Sequence, residues 1–269
     1  MPKKSESNSS RSGFSKFLLS IPFLLLFTYL IVQYFNTPLV LPRSSNWQNA
    51  SEYLTKHLIG QDQGLKEFKD AMDKHKNFSI VLIEGPTGTG KSYLASSLEK
   101  FLPTTLISAN TLLGLPKHHW TESDRLVSYL SSYLSPSYFQ FLIIDDLDLL
   151  STNEMYCQTL TRAVHSINND KNLFILLLKT STKDNLCQET FQSILTKSIQ
   201  FNMLQRPHIR TCIQNEAYTQ NVQPPFDTEQ IEKILDLIEY TGEHELSYSK
   251  TGCKQIPSLV MLASKKDSY

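Results

Sequence analysis

Short apolar runs alternate along this chain with segments of helical periodicity. The apolar runs occupy residues 80–83, 104–108, 139–144 and 173–178, and each ends in polar or glycine-containing sequence. Runs of this length are typical of strands buried on both faces of a parallel sheet. Between them apolar residues recur every three or four positions, which predicts amphipathic helices. The alternation predicts an α/β fold: a parallel sheet flanked by helices, with right-handed crossovers.

The same pattern divides the chain into segments. Helical periodicity begins at Ser51, and beyond about residue 185 it replaces the alternation of strand and helix. We therefore predict a small C-terminal helical lid domain after the sheet. The predicted segments are a basic tail (1–16), an apolar span (17–35), a linker (36–50), an α/β domain (51–205) and a lid domain (206–269).

The N-terminal segment predicts a membrane location. Residues 1–16 are polar, serine-rich and basic, and we expect them to be disordered. Residues 17–35 carry no charge over a length that suits one bilayer crossing. A cleaved signal peptide, a membrane anchor and a buried core helix would each explain this stretch. Because no small-x-small cleavage site follows, we favour a transmembrane signal-anchor. Basic residues precede the span, so the tail is predicted to be cytosolic and the remainder lumenal or extracellular.

Composition narrows the function only slightly. The 269 residues include 26 basic and 26 acidic side chains, and this balance does not indicate a nucleic-acid partner. The four cysteines are too few and too dispersed for a disulfide scaffold or a zinc site. Glycosylation sequons at Asn49 and Asn77 lie in the predicted lumenal part, and we favour Asn49 as the acceptor because Asn77 adjoins a strand.

The first apolar run breaks into a loop with the pattern G-x-x-x-x-G-K-S. The loop consists of Gly85, Pro86, Thr87, Gly88, Thr89, Gly90, Lys91 and Ser92, and Tyr93 follows it. Its backbone N–H groups and the dipole of the following helix would hold a polyphosphate. Lys91 would contact the β- and γ-phosphates, and the Ser92 hydroxyl would bind Mg²⁺. This loop predicts binding of ATP or GTP.

Polar residues at the ends of two later strands complete this chemistry. Asp145 ends the 139–144 run and would hold Mg²⁺ opposite Ser92. The next residue, Asp146, stands where hydrolysing ATPases of the AAA+ class usually carry a glutamate that activates water. It is predicted to be catalytic, although its side chain is one methylene shorter. A side chain at the end of the 173–178 run should contact the γ-phosphate or the attacking water. Of the candidates Lys179, Thr180 and Ser181, we favour Thr180.

Three segments make the chain resemble the torsins, the AAA+ ATPases of the endoplasmic reticulum and nuclear envelope lumen. They are Thr251-Gly252-Cys253-Lys254, the turn Leu58-Ile59-Gly60-Gln61, and residues 199–213, where Cys212 follows His208 by four positions. The resemblance covers roughly residues 51–260 and indicates a divergent member. It implies an AAA+ P-loop fold, ATP and Mg²⁺ as cofactors, and adenine contacts at Ile59 and Gly60.

The resemblance also implies roles for residues of the lid. Lys254 would be the cation that senses the phosphates, and Cys253 would form a redox-active disulfide with Cys212. From the residues alone, two buried free thiols remain an alternative. Arg206 and Arg210 are expected on a solvated helix face, so no arginine finger is evident. By resemblance, the lumenal domain of a single-pass membrane activator would supply one, and a homo- or hetero-oligomer is a further expectation.

Departures from the family pattern leave other functions open. Torsins usually carry Asn at the position of Ser92 and Glu at that of Asp146, and their sequence after Lys254 is longer. The leading hypothesis is a membrane-anchored, lumenal, chaperone-like ATPase of the endoplasmic reticulum and nuclear envelope. The alternative is an ATP-binding scaffold with little or no hydrolysis. A mitochondrial or cytosol-facing AAA+ protein with a reversed anchor is a third hypothesis, which a glycan on Asn49 would exclude.

Overall fold

The computed structural model describes residues 27–28, 43–135, 139–151, 153–167, 172–180, 190–242 and 247–266. The chain divides into two compact units, Met1–Val40 and Leu41–Tyr269. The predicted span at 17–35 lies outside the described residues except for Phe27 and Thr28. Among the residues that are described, no helix has both the length and the apolar character needed to cross a bilayer.

The second unit combines helices with two sheets. The strands are β1 (Phe78–Gly85), β2 (Thr104–Ser108), β3 (Gln140–Asp145), β4 (Leu173–Thr180), β5 (Lys197–Gln200), β6 (Tyr240–Thr241) and β7 (Tyr248–Ser249). The helices are α1 (Arg43–His57), α2 (Asp62–Lys74), α3 (Lys91–Phe101), α4 (Ala109–Leu113), α5 (His118–Thr121), α6 (Ser123–Ser131), α7 (Glu154–Ser166), α8 (Arg206–Thr219), α9 (Thr228–Asp236) and α10 (Ile256–Lys266). A 3₁₀ turn, Leu147–Leu149, follows β3.

The predicted parallel sheet is confirmed. Its strand order is β2-β3-β4-β1-β5, and every neighbouring pair is parallel. Since β4 separates β1 from β3, the carboxyl ends of these three strands lie side by side. Gly85 at the end of β1 is aligned with Thr180 at the end of β4. The phosphate loop, Thr180 and Asp145 therefore leave the sheet along one edge.

Both faces of the sheet are buried, which explains the unbroken apolar runs. Side chains alternate between faces along a strand. In β1, Ile80 and Leu82 enter one core cluster, whereas Val81 and Ile83 enter the other, and all four are at most 1% exposed. Helix α7 packs in the first cluster, and helices α1, α2 and α3 pack in the second. A third cluster, built on α8, α9 and α10, forms the core of the lid.

Three features of the secondary structure differ from the sequence prediction. Helix α1 begins at Arg43, inside the predicted linker, because Trp47 packs edge-on against Phe68, with ring centroids 5.9 Å apart. Residues 197–200 form β5 rather than helix, and within this strand Ile199 alone is buried. The lid is not purely helical, since β6 and β7 form a small antiparallel ribbon.

Candidate functional site

A cavity of about 890 Å³ lies at the carboxyl edge of the sheet, between the phosphate loop and the lid. This volume is within the range of small-molecule sites. Its lining includes many of the residues predicted from sequence, namely Ile59, Thr87, Gly88, Thr89, Gly90, Lys91, Ser92, Tyr93, Asp145, Asp146, Thr180, Cys212, Cys253 and Lys254. The fold thus brings together segments that are up to 195 residues apart, from Ile59 to Lys254.

The phosphate loop has the conformation that its glycines allow. Gly88 and Gly90 have φ values of 73° and 99°, a region that side chains disfavour. Gly90 is the N-cap of α3, whose first residues are Lys91 and Ser92. The loop therefore delivers the chain directly into a helix N-terminus, where backbone N–H groups and the helix dipole favour an anion.

Lys91 is the buried cation of the site. Its side chain is largely enclosed, and its Nζ donates hydrogen bonds of 2.7 Å to the carbonyls of both Gly85 and Pro86. Burial lowers the pKa of Lys91 to about 8, although the nearby charge of Asp145, followed by those of Asp148 and Asp146, acts in the opposite direction. A phosphate that entered this cavity would pair with the Lys91 ammonium and so stabilise its charged form, which burial disfavours.

Two adjacent carboxylates occupy the end of β3. Asp145 is partly exposed in the cavity and its Oδ1 accepts the backbone N–H of Asp146 at 2.8 Å. Asp146 has a left-handed backbone, with φ 60°, and its Oδ2 accepts a 3.4 Å hydrogen bond from the Ser108 hydroxyl. Partial burial, followed by the charges of Asp145 and Asp148, raises the pKa of Asp146. Both residues line the cavity, so each can accept a proton or contribute to binding a cation there.

Three residues at or just after the end of β4 are the candidates for contact with the terminal phosphate, and their surroundings differ. Lys179 is fully buried and forms an ion pair with Glu84 of β1, with 3.3 Å between Nζ and Oε1. Thr180 lines the cavity, and its backbone N–H donates to Asp148 Oδ1 at 3.3 Å. Ser181 lies outside the described residues. Thr180 therefore lines the cavity and remains the candidate, whereas the Lys179 side chain is buried in an ion pair with Glu84.

The lid meets the phosphate loop through main-chain atoms of the turn 251–254. The N–H of Cys253 donates a 3.1 Å hydrogen bond to the carbonyl of Gly88. Gly252 has φ 55°, and a Cβ at this residue would lie 2.2 Å from the Gly88 oxygen. The contact is so close because both residues are glycines. It places Lys254 at the rim of the cavity, where its charge acts on Lys91 and Asp146.

A disulfide joins the same turn to the lid core. Cys253 is bonded to Cys212 of α8, with 6.1 Å between their Cα atoms. Cys212 is 8% exposed and belongs to the lid cluster. The turn is therefore fixed on one side by Gly88 and on the other by α8. Cys157 of α7 is buried and is also disulfide-bonded.

The opposite end of the cavity contains the turn that was assigned to adenine. Ile59 lines the cavity, whereas Gly60, with φ 70°, packs against Leu204 and the His208 ring. The side chain of Gln61 is almost fully buried and binds the backbone of Asn202 twice. Its Nε2 donates to the carbonyl and its Oε1 accepts the N–H, both at 2.8 Å. Gln61 thus ties this turn to the connection between β5 and the lid.

Sequence reasoning missed an aromatic and basic cluster beside Tyr93. The hydroxyls of Tyr53 and Tyr93 lie 3.1 Å apart, and the Tyr53 ring stacks on His57 at 4.1 Å. Lys100 Nζ contacts the Tyr53 hydroxyl at 3.4 Å. All four residues line the cavity. Tyr53 and His57 are four positions apart on α1, and this spacing was the only local signal that they share a helix face.

Several predicted residues lie away from the cavity. Gly85 and Pro86 do not line it, and their carbonyls contact Lys91 instead. Asn49 on α1 and Asn77 before β1 are exposed on the surface, as glycan acceptors must be.

The two arginines considered as fingers are paired within the lid. Arg206 binds Glu232 at 2.7 Å and Asp236 at 2.8 Å, and Arg210 also binds Glu232. Both arginines project from α8 towards α9, and neither lines the cavity.

Comparisons with known proteins agree with this architecture. Residues 81–203 match the family model described as the ATPase family associated with various cellular activities (AAA). A search of curated protein sequences finds no match.

Three solved structures illustrate the fold. The FIGL-1 AAA domain in complex with ADP is 16% identical, with a TM-score of 0.53, over 78% of this chain and 72% of that one. The Aeropyrum pernix Orc1 protein in complex with DNA is 15% identical, with a TM-score of 0.54, over 83% and 65%. The replication initiator DnaA bound to AMPPCP and single-stranded DNA is 15% identical, with a TM-score of 0.53, over 78% and 63%. The match thus spans less than two thirds of the latter two proteins, and at these identities it shows the fold alone.

Proposed function

We propose that this chain, whose residues 81–203 match the AAA family model, is a nucleotide-binding, torsin-like ATPase anchored in the membrane of the endoplasmic reticulum and nuclear envelope. Its catalytic domain would be lumenal and would act on protein assemblies there. The observation that carries this proposal is the turn 251–254. This turn, joined to α8 by the disulfide of Cys253, docks on Gly88 and brings Lys254 into the cavity that contains Lys91.

Each side chain of the cavity has a role in this proposal. ATP binds with its phosphates on the loop and α3, where Lys91 and Lys254 balance their charge. Ser92 and Asp145 would hold Mg²⁺, which would neutralise charge that develops on the phosphates. Thr180 contacts the terminal phosphate, and Asp146 orients the attacking water.

The disulfide gives the site a redox-sensitive element. Cys253 precedes Lys254 directly, so the bond to Cys212 restricts where the Lys254 ammonium can lie. Reduction would release the turn from α8 while leaving the contact with Gly88. We expect the nucleotide affinity to change with the redox state of this pair, in a compartment where disulfides persist.

A partner completes the site. Arg206 and Arg210 are engaged with acidic residues of α9, which supports the proposal that an arginine finger comes from another chain. A membrane protein with a related lumenal domain is the proposed source, and a finger in trans contributes orders of magnitude in rate. Assembly with copies of itself or with related chains would place such a finger in the same way.

The first test is ATP hydrolysis by the purified full-length chain, with and without a torsin-activating lumenal domain. Stimulated turnover that Lys91→Ala abolishes would support the enzyme. Tight ATP binding without turnover under either condition would refute it and favour an ATP-binding scaffold. The short side chain of Asp146 and its bond to Ser108 are the observations that favour this second function. Gain of hydrolysis by Asp146→Glu would then support the scaffold.

Topology has its own test. A lumenal domain predicts a glycan on Asn49, which removal by a glycosidase would reveal as a shift in electrophoretic mobility. The matched control is Asn49→Gln, which should migrate like the deglycosylated chain. A wild-type chain that carries no glycan and is digested by protease in cells whose plasma membrane alone has been permeabilised would contradict the lumenal placement.

A further inference from the structure

Asp148 is a third carboxylate near the site that sequence reasoning did not assign. It lies in the 3₁₀ turn after β3, is partly buried, and does not line the nucleotide cavity. Its Oδ1 accepts the backbone N–H of Thr180 at 3.3 Å. A carboxylate that accepts a main-chain N–H fixes the position of the backbone without contacting a ligand itself.

Thr180, whose backbone Asp148 binds, lies at the edge of the sheet that borders the cavity. Thr180 is the last residue of β4 and is aligned with Gly85, the last residue of β1. Because β4 lies between β1 and β3, Thr180 stands between the phosphate loop and Asp145. A small displacement of this backbone would move the Thr180 hydroxyl relative to both.

The 3₁₀ turn that contains Asp148 is anchored in the hydrophobic core, which restricts the movement of Asp148. Leu147 and Leu150 are fully buried on either side of it. The carbonyl of Asp148 accepts the N–H of Ser151 at 3.2 Å, and that of Asp146 accepts the N–H of Leu149 at 3.0 Å. The Asp148 charge also reaches the cavity, since it acts on the pKa values of Lys91 and Asp146.

We propose that Asp148 is a positioning residue that holds the Thr180 hydroxyl where the terminal phosphate of ATP binds, and so favours ATP over ADP. The inference rests on the proposed nucleotide site and adds a residue to it. ADP lacks the phosphate that Thr180 would contact. Loss of Asp148 should therefore weaken the binding of ATP while leaving that of ADP nearly unchanged.

The test compares the affinities of ADP and of a non-hydrolysable ATP analogue, both with Mg²⁺, by calorimetry on the full-length chain. In Asp148→Ala we expect the ratio of ATP-analogue to ADP affinity to fall about tenfold, the typical effect of one charge-assisted hydrogen bond. Asp148→Asn retains an oxygen acceptor and should recover most of the ratio. Asp124→Ala, which removes an exposed carboxylate of α6, is the matched control and should leave both affinities unchanged.

A double-mutant cycle with Thr180→Ala separates positioning from general damage. If Asp148 acts through Thr180, Asp148→Ala should cause no further loss of the ratio in the Thr180→Ala background. An equal additional loss there, equal weakening of ADP, or an unchanged ratio in Asp148→Ala would each overturn the inference. Absence of ATP binding by the wild-type chain would refute this inference and the proposed function together, whereas binding with an unchanged ratio would refute the inference alone.

Discussion

Replacement of Gly252 by alanine tests how the lid holds Lys254 at the cavity. Gly252 has φ 55°, and a new Cβ would lie 2.2 Å from the Gly88 oxygen and 2.5 Å from its carbonyl carbon. Both of these atoms belong to the backbone, so no side chain can rotate away. The turn has to leave Gly88, and the hydrogen bond from the Cys253 N–H is lost.

The magnitude follows from two contributions. A residue with a Cβ in the left-handed region costs about 1 kcal/mol, and one lost hydrogen bond costs about 1 kcal/mol more. Their sum of about 2 kcal/mol shifts the equilibrium between docked and undocked turn roughly 30-fold. ATP affinity can fall only by as much as ATP distinguishes the two states, and we expect a loss of about tenfold. The disulfide between Cys212 and Cys253 should still form, because it lies on the other side of the turn.

Calorimetry of ATP binding, with the thermal unfolding temperature measured on the same samples, checks this prediction. Gly114→Ala is the matched control: Gly114 has a helical φ of −70°, and a Cβ there would meet nothing closer than 3.4 Å. This variant should bind ATP like the wild type. Unchanged ATP affinity in Gly252→Ala would refute the reasoning, since docking on Gly88 would then not be what positions Lys254. Equal losses in both variants would point to a general effect of added methyl groups.

The remaining predictions concern three side chains, Lys91, Glu84 and Gln61. Because burial lowers the pKa of Lys91 to about 8, the ammonium loses its proton as the pH rises through that value, and ATP affinity should weaken between about pH 7 and pH 9; a flat profile by calorimetry would contradict this. The free energy of unfolding should instead rise slightly as the pH increases above about 8. In that range Lys91 has lost its proton in the folded chain but keeps it in the unfolded chain, where its pKa is not lowered by burial. Glu84→Ala removes a buried carboxylate that pairs with Lys179 and should lower the unfolding free energy by about 3–5 kcal/mol in denaturant titrations, whereas a loss below about 1 kcal/mol would contradict this expectation. Gln61→Ala removes both bonds to Asn202 and should cost about 2 kcal/mol of stability, with Gln63→Ala, which loses one exposed side-chain bond, as the nearly neutral control.

The parts of the fold that were predictable are those fixed by local burial. A strand covered on both faces must be apolar throughout, so β1 and β4 were evident as continuous runs. Strand β5 was missed because it is four residues long and only Ile199 within it is buried. The start of α1 was misplaced because its first turns owe their position to a contact between Trp47 and Phe68, which no local pattern records.

Within the candidate site, too, the features that depend on adjacent residues could be predicted, whereas contacts between distant residues could not. The phosphate loop and Asp145 were predictable because their chemistry depends on adjacent residues and a strand end. Gln61 and Asp148 were not assigned these contacts, since the atoms that they bind lie 141 and 32 residues away. The pairing of Cys212 with Cys253 entered only through a resemblance, because spacing along the chain leaves the partner of each cysteine open.

The three contacts that shape the cavity share one property: each ends on the main chain. Gln61 binds the backbone of Asn202, Asp148 binds that of Thr180, and the Cys253 N–H binds that of Gly88. A main-chain partner is present whatever residue the sequence carries, unless that residue is proline. Such contacts preserve the geometry around the cavity when the side chain at Asn202 or Thr180 changes. The positions that tolerate the fewest residue types are then Gln61 and Asp148, whose side chains form these hydrogen bonds. Gly88 and Gly252 join them, because the close approach of their backbones excludes any Cβ.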